Sequence, residues 1–134
     1  MDLLTYKEFV RGLLSKESKD FQAMLDRLNQ LQITYPNINF PALFTAADGM
    51  AAESGEFMEI VKKVQWQGKE LTEDNRYHLK RELGDTLFYA MVACIALDYD
   101  MQEIIDENVS KLEKRYPGGK FEIHHSEFRS SNDI

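Results

Sequence analysis

The sequence predicts an all-α protein built as a four- to five-helix bundle. Apolar residues recur every three or four positions over most of its length, each such run opens on a capping residue, and almost no stretch alternates apolar with polar residues as a half-buried strand does. Thr5 followed by Glu8 has the capping-box pattern, with Phe9, Val10, Leu13 and Leu14 at helical spacing behind it. After the polar interruption from Ser15 to Asp20 the period resumes at Phe21, Met24, Leu25, Leu28 and Leu31, so this region reads as one long helix or two joined at a kink.

Tyr35 to Pro41 is a connector whose second proline is placed to open the next helix. That helix runs from Pro41 to about Gln67 through Phe44, Ala47, Ala51, Phe57, Ile60, Val61 and Val64, and Gly68 stops it. Thr72 with Glu73 and Asp74 suits a helix start, and Leu79, Leu83, Leu87, Ala90 and Cys94 mark the buried stripe of a helix ending near Leu97. Asp100 and Glu103 repeat the cap for a helix carrying Ile104, Ile105, Val109 and Leu112, closed by Tyr116, Pro117, Gly118 and Gly119. The polar remainder from Lys120 to Ile134 has no period and reads as extended or mobile. The chain is thus one all-α domain over 1–134, divided into an N-terminal helical portion (1–40), a central helical core (41–116) and a C-terminal tail (117–134).

Its 134 residues suffice for one core and are too few for two. With 43% hydrophobic and 29% charged residues the chain is too apolar to stay unfolded. The formal net charge of −7 argues against a binder of nucleic-acid polymers, whose phosphates require clustered Lys and Arg. The single cysteine, Cys94, sits in an apolar run and reads as a small buried hydrophobe. The absence of a disulfide framework, of a basic-then-apolar leader at Met1 to Tyr6 and of any membrane-length apolar run leads us to expect a cytoplasmic protein without a membrane partner.

The acidic residues are placed in a telling way. Glu53 and Glu56 stand three apart on one predicted helix, and Glu82 and Asp85 repeat that spacing on the next, so each pair lies on one helix face with Cβ atoms about 5 to 6 Å apart. One such pair is commonly a solvated surface; two on adjacent helices, bordering an apolar stripe, repel unless a cation compensates. Gly55 and Gly84 lie inside the two pairs, where glycine costs about 1 kcal/mol against alanine, which suggests close helix approach or room for a ligand. Mg²⁺ suits carboxylate oxygens and bridges them to phosphates, with Mn²⁺ a plausible substitute. Glu59 continues the series but has Lys62 and Lys63 within salt-bridging reach. Asn108, Lys111 and Arg115 align along one stripe of the last long helix and could grip phosphates.

These residues resemble the MazG-like nucleotide pyrophosphohydrolases of the all-α NTP pyrophosphatase superfamily over roughly Phe44 to Phe121. The family hallmark, Glu-x-x-Glu followed after a spacer by Glu-x-x-Asp, is matched by Glu53-Ser54-Gly55-Glu56 and Glu82-Leu83-Gly84-Asp85. Val61-Lys62-Lys63 and the run from Asn108 through Lys111 to Arg115-Tyr116-Pro117 add to the likeness. The resemblance implies Mg²⁺-dependent hydrolysis of an NTP or dNTP between the α- and β-phosphates, giving a nucleoside monophosphate and pyrophosphate. It implies Glu53, Glu56, Glu82 and Asp85 as metal ligands, Glu53 or Glu56 as general base, and Asn108, Lys111, Arg115 and Tyr116 as phosphate contacts. It also implies a homodimer or homotetramer. Some relatives carry an extra acid where this chain has Ala52, which leaves the base open between the two glutamates. Gly49, with room for a ring, and Trp66, a stacking platform, are candidates for the base pocket, with a lean towards a purine dNTP such as dGTP.

Two other classes compete. A di-iron carboxylate bundle needs two Glu-x-x-His pairs; only Glu122 to His125 fits, in the tail, without a second copy. A non-catalytic helical oligomerisation or regulatory protein would treat the same acids as a solvated face.

Overall fold

Side-chain caps decide where the helices begin in this computed structural model, which describes residues 2–128. Helix α1 (Leu3–Leu13) starts on Asp2, whose carboxylate accepts the Thr5 N–H at 2.7 Å. The expected Thr5–Glu8 box is displaced because Asp2 already occupies the capping register one turn earlier; Glu8 pairs instead with Arg11 at 2.8 Å. Two further caps then break what the apolar period alone left as one or two helices. Ser15 accepts the Ser18 N–H to open α2 (Lys16–Lys19), and Asp20 accepts the Ala23 N–H at 2.7 Å to open α3 (Phe21–Thr34). Both capping residues have extended backbones, which no continuous helix tolerates.

Asn39 caps α4 (Phe40–Trp66), with Pro41 in its first turn, and Gly68 at φ +69° turns the chain out of it. Thr72 caps α5 (Glu73–Leu97), and Asp98 at φ 58° ends it in a left-handed conformation that an aspartate accepts at modest cost. The Asp100 carboxylate accepts the N–H groups of Gln102 and Glu103 at the start of α6 (Met101–Arg115). The tail carries one short helix, α7 (Ile123–Glu127), where the sequence suggested none; the end of the tail, 129–134, lies outside the described residues. Among the described residues every regular element is α-helical.

The centre of the molecule is the hairpin of α4 and α5, with α2 packed on α3. Small side chains let α4 and α5 approach: Ala46 and Gly49 on α4 and Ala96 on α5 are buried. Cys94 is the small buried hydrophobe expected, with Sγ 3.9 Å from the Met101 sulfur. The Asn39 N–H donates to the Ala96 carbonyl at 2.9 Å and ties the open end of the hairpin. Among the described residues no other pair of helices packs closely along its length. The five longer helices of the expected architecture are therefore present, but one chain does not close them into a bundle. Leu3 and Phe9 on α1, Leu87 and Ile95 on α5 and Val109 on α6 remain exposed.

Candidate metal centre

Glu53 projects from α4 towards Glu82 and Asp85 on α5, and one carboxylate oxygen from each lies within 4.8 Å of the other two. An octahedral divalent cation with bonds near 2.1 Å holds its oxygens roughly 3 to 4.2 Å apart, a span compatible with a trio whose oxygens lie within 4.8 Å of one another. Glu53 and Glu82 are half-buried and Asp85 is exposed, which leaves an open side for waters or a substrate. The charged groups that act on the Glu53 carboxyl are all acids. Hard oxygen donors without a protein counter-charge are what a divalent cation complements.

The electrostatics agree. Burial first, and then the neighbouring negative charges of Glu56, Asp85 and Glu82, push the Glu53 carboxyl above the ordinary carboxylate range. Glu59, six residues further along α4, shows the opposite behaviour: hydrogen bonds from Lys62 and Lys63 hold its carboxyl below that range. Glu59 is thus neutralised within its own helix, whereas Glu53 faces uncompensated acids.

Comparison with known proteins bears on this geometry. The description "MazG nucleotide pyrophosphohydrolase domain" belongs to a family whose profile matches residues 44–119, more than half of the chain and all four motif acids. The chain belongs to the MazG family. A phage relative, the "Gene 37 protein" of Mycobacterium phage L5, is 32% identical over 72 residues, which cover 53% of this chain and 63% of that protein. The chain thus spans less than two thirds of that relative. No solved structure matches.

Within the MazG domain the remaining candidates fall in different places. Glu56 is exposed and outside the close trio, although its charge reaches Glu53. Asn108, Lys111 and Arg115 lie on α6 and Tyr116 caps its end, but α6 packs along neither α4 nor α5, so this chain by itself does not bring the stripe against the acids. The ring of Tyr116 leans on Phe121 at 5.7 Å, beside a cleft of about 290 Å³ that is lined mostly by apolar residues of α6 and the following turn.

The two base-pocket candidates lie on opposite sides of the acids. Trp66 ends α4, 74% exposed and about 20 Å along the helix from Glu53. Gly49 lies one turn to the other side of Glu53 and is buried, and the room it leaves is filled by the chain's own Tyr89 ring. Gly55 and Gly84, by contrast, face open space, with nothing within 4 Å of where a Cβ would stand. The close helix approach that glycine permits is at Gly49 rather than inside the acidic motifs. Tyr89 was not singled out from the sequence, although its position four residues after Asp85 places it on the motif-bearing face of α5.

Proposed function

We propose that the protein hydrolyses a nucleoside triphosphate at the α–β phosphate bond, giving a nucleoside monophosphate and pyrophosphate with Mg²⁺ or Mn²⁺. The observation that carries this reading is the convergence of Glu53, Glu82 and Asp85 across the α4–α5 hairpin of a MazG domain. These three carboxylates, with Glu56 at their edge, would hold the ion. Bound there, the ion supplies charge neutralisation for the triphosphate and acidifies an attacking water. Glu56, exposed and outside the trio, is the carboxylate best left free to accept the water's proton, with Glu53 as the other candidate. Lys111 and Arg115, with Asn108 and Tyr116, would hold the phosphates and the charge that develops on them.

Because α6 stands away from the acids within one chain, this arrangement requires an assembly, and the surface supports one. The chain exposes 10995 Å², roughly half as much again as a folded monomer of its 15.6 kDa mass would. Helix α5 is apolar on two sides: one packs on α4, and the other exposes Leu83, Leu87, Phe88, Met91 and Ile95. A helix with apolar side chains on two opposite sides needs cover on both, so a second copy would cover this side in a homodimer or homotetramer. In such an assembly a nucleotide on the acids of one chain could stack on Trp66 of another. A purine dNTP such as dGTP is the expected substrate, hydrolysed in the cytoplasm.

The deciding experiment incubates the chain with Mg²⁺ and each NTP and dNTP in turn, with the products separated chromatographically. Monophosphate and pyrophosphate appearing together, abolished by chelator, support the reading. Diphosphate with orthophosphate, or no turnover with any nucleotide, would sink it.

A further inference from the structure

We infer that the Tyr89 ring seated on Gly49 is the spacer that fixes the separation of α4 and α5 beneath the carboxylates, making Gly49 and Tyr89 positioning residues for the metal centre. This inference rests on the metal-site reading proposed above. The register is specific. Gly49 precedes Glu53 by four residues on α4, and Tyr89 follows Asp85 by four residues on α5. The helices run antiparallel, so the Gly49–Tyr89 contact is the layer next to the Glu53–Asp85 layer, about 6 Å away along the hairpin.

The contact is tight. A Cβ added to Gly49 would stand closer than 3.0 Å to Cδ1, Cε1 and Cγ of Tyr89, all atoms of a rigid ring rather than the end of a flexible chain. Phe88 also contacts that ring, with centroids 5.2 Å apart and the two planes at 76°. An interior glycine costs an α-helix about 1 kcal/mol against alanine, and among the glycines of α4 and α5 only Gly49 meets a neighbour. The metal centre depends on this distance because its ligands come from both helices. Asp85 has a short side chain and cannot follow if the hairpin widens, so the 4.8 Å trio would open.

The test measures Mn²⁺ affinity, read from the electron paramagnetic resonance signal of the free ion at a temperature where circular dichroism shows intact helix. Gly49→Ala is expected to weaken Mn²⁺ binding by roughly tenfold, the scale of disturbing the support of a metal ligand. Adding Tyr89→Leu to Gly49→Ala should restore most of the affinity, because the added methyl then meets a smaller side chain. Tyr89→Phe, which keeps the ring, should bind as tightly as the unmodified chain. Gly12→Ala, at an α1 position where a Cβ meets nothing, controls for helix propensity and should leave affinity unchanged.

Unchanged affinity in Gly49→Ala, failure of the double variant to recover, or an equal loss in Gly12→Ala would each overturn the spacer role. Should Gly49→Ala not fold, Tyr89→Leu alone carries the test: removing the spacer is expected to weaken binding roughly tenfold, and unmodified affinity overturns the inference. If the unmodified chain binds no Mn²⁺, the metal-site reading fails and this inference with it. Binding that is indifferent to the Gly49 and Tyr89 changes sinks the spacer alone.

Discussion

Among the motif acids Glu53 is the one whose protonated form the fold favours, through burial and the acids around it. Its carboxyl lies above the ordinary range through burial and the charges of Glu56, Asp85 and Glu82. In the metal-free protein a raised carboxyl contributes stability at acidic pH that is lost as the pH rises through its folded value. Glu53→Gln should therefore raise the melting temperature of the metal-free protein at pH 7, and the gain should vanish at acidic pH, where Glu53 is already protonated. Scanning calorimetry across pH checks both halves. A metal must displace that proton, so Mn²⁺ affinity should climb with pH and titration calorimetry should register proton release at acidic pH. Glu56 and Asp85 should separate by role. Asp85→Asn is expected to lose Mn²⁺ binding, whereas Glu56→Gln should keep most of it and lose turnover by roughly 10²- to 10⁴-fold, the usual worth of a general base. Equal metal loss in both would merge the roles. At this scale the sequence was informative because Glu-x-x-Glu and Glu-x-x-Asp are spaced by the helix period. It could not separate Glu56 from the other three, because that depends on how the two helices face each other.

At the scale of elements, caps explain both the agreement and the differences between sequence and structure. Thr72, Asp100 and the turn at Gly68 are local signals and were readable because each capping residue acts within one turn of itself. Ser15 and Asp20 are the same kind of signal, but they fall inside a polar stretch with no apolar period to frame them, so the break into α1, α2 and α3 was hidden. Thr72→Ala should lower the stability of the hairpin by about 1 kcal/mol, read as an earlier thermal midpoint, since it removes the acceptor for the Asn75 N–H. Gly55 and Gly84 mark the limit of element-level reading. A glycine in a helix announces that space is wanted without saying by whom, and the close neighbour proved to be at Gly49.

For the whole molecule, the exposed side of α5 is the dominant fact. Leu87 and Ile95 are 61% and 68% exposed, on the side of the helix away from α4. If the proposed assembly forms, Leu87→Glu should give monomers in light-scattering measurements, and the melting temperature should depend on protein concentration for the wild type and not for the variant. A single monodisperse monomer of the unmodified chain at micromolar concentration would contradict the proposed assembly. The all-α class was visible from periodicity, yet periodicity reports which residues seek burial, not which chain provides it. For that reason α1 and α6 read as bundle helices, and their apolar stripes stay open in a single copy.

The hydrogen bond from the Asn39 N–H to the Ala96 carbonyl adds a means of watching this architecture at work. It joins the start of α4 to the end of α5, so the deuterium uptake of one amide records how often the open end of the hairpin parts. The Gln67 and Lys69 amides, bonded to the Lys63 carbonyl of the same helix, record only the fraying of the α4 C-terminus and serve as an internal reference. An ion clasped between the two helices would slow exchange at the Asn39 amide, whereas an ion held by one helix would leave that amide as quick as before.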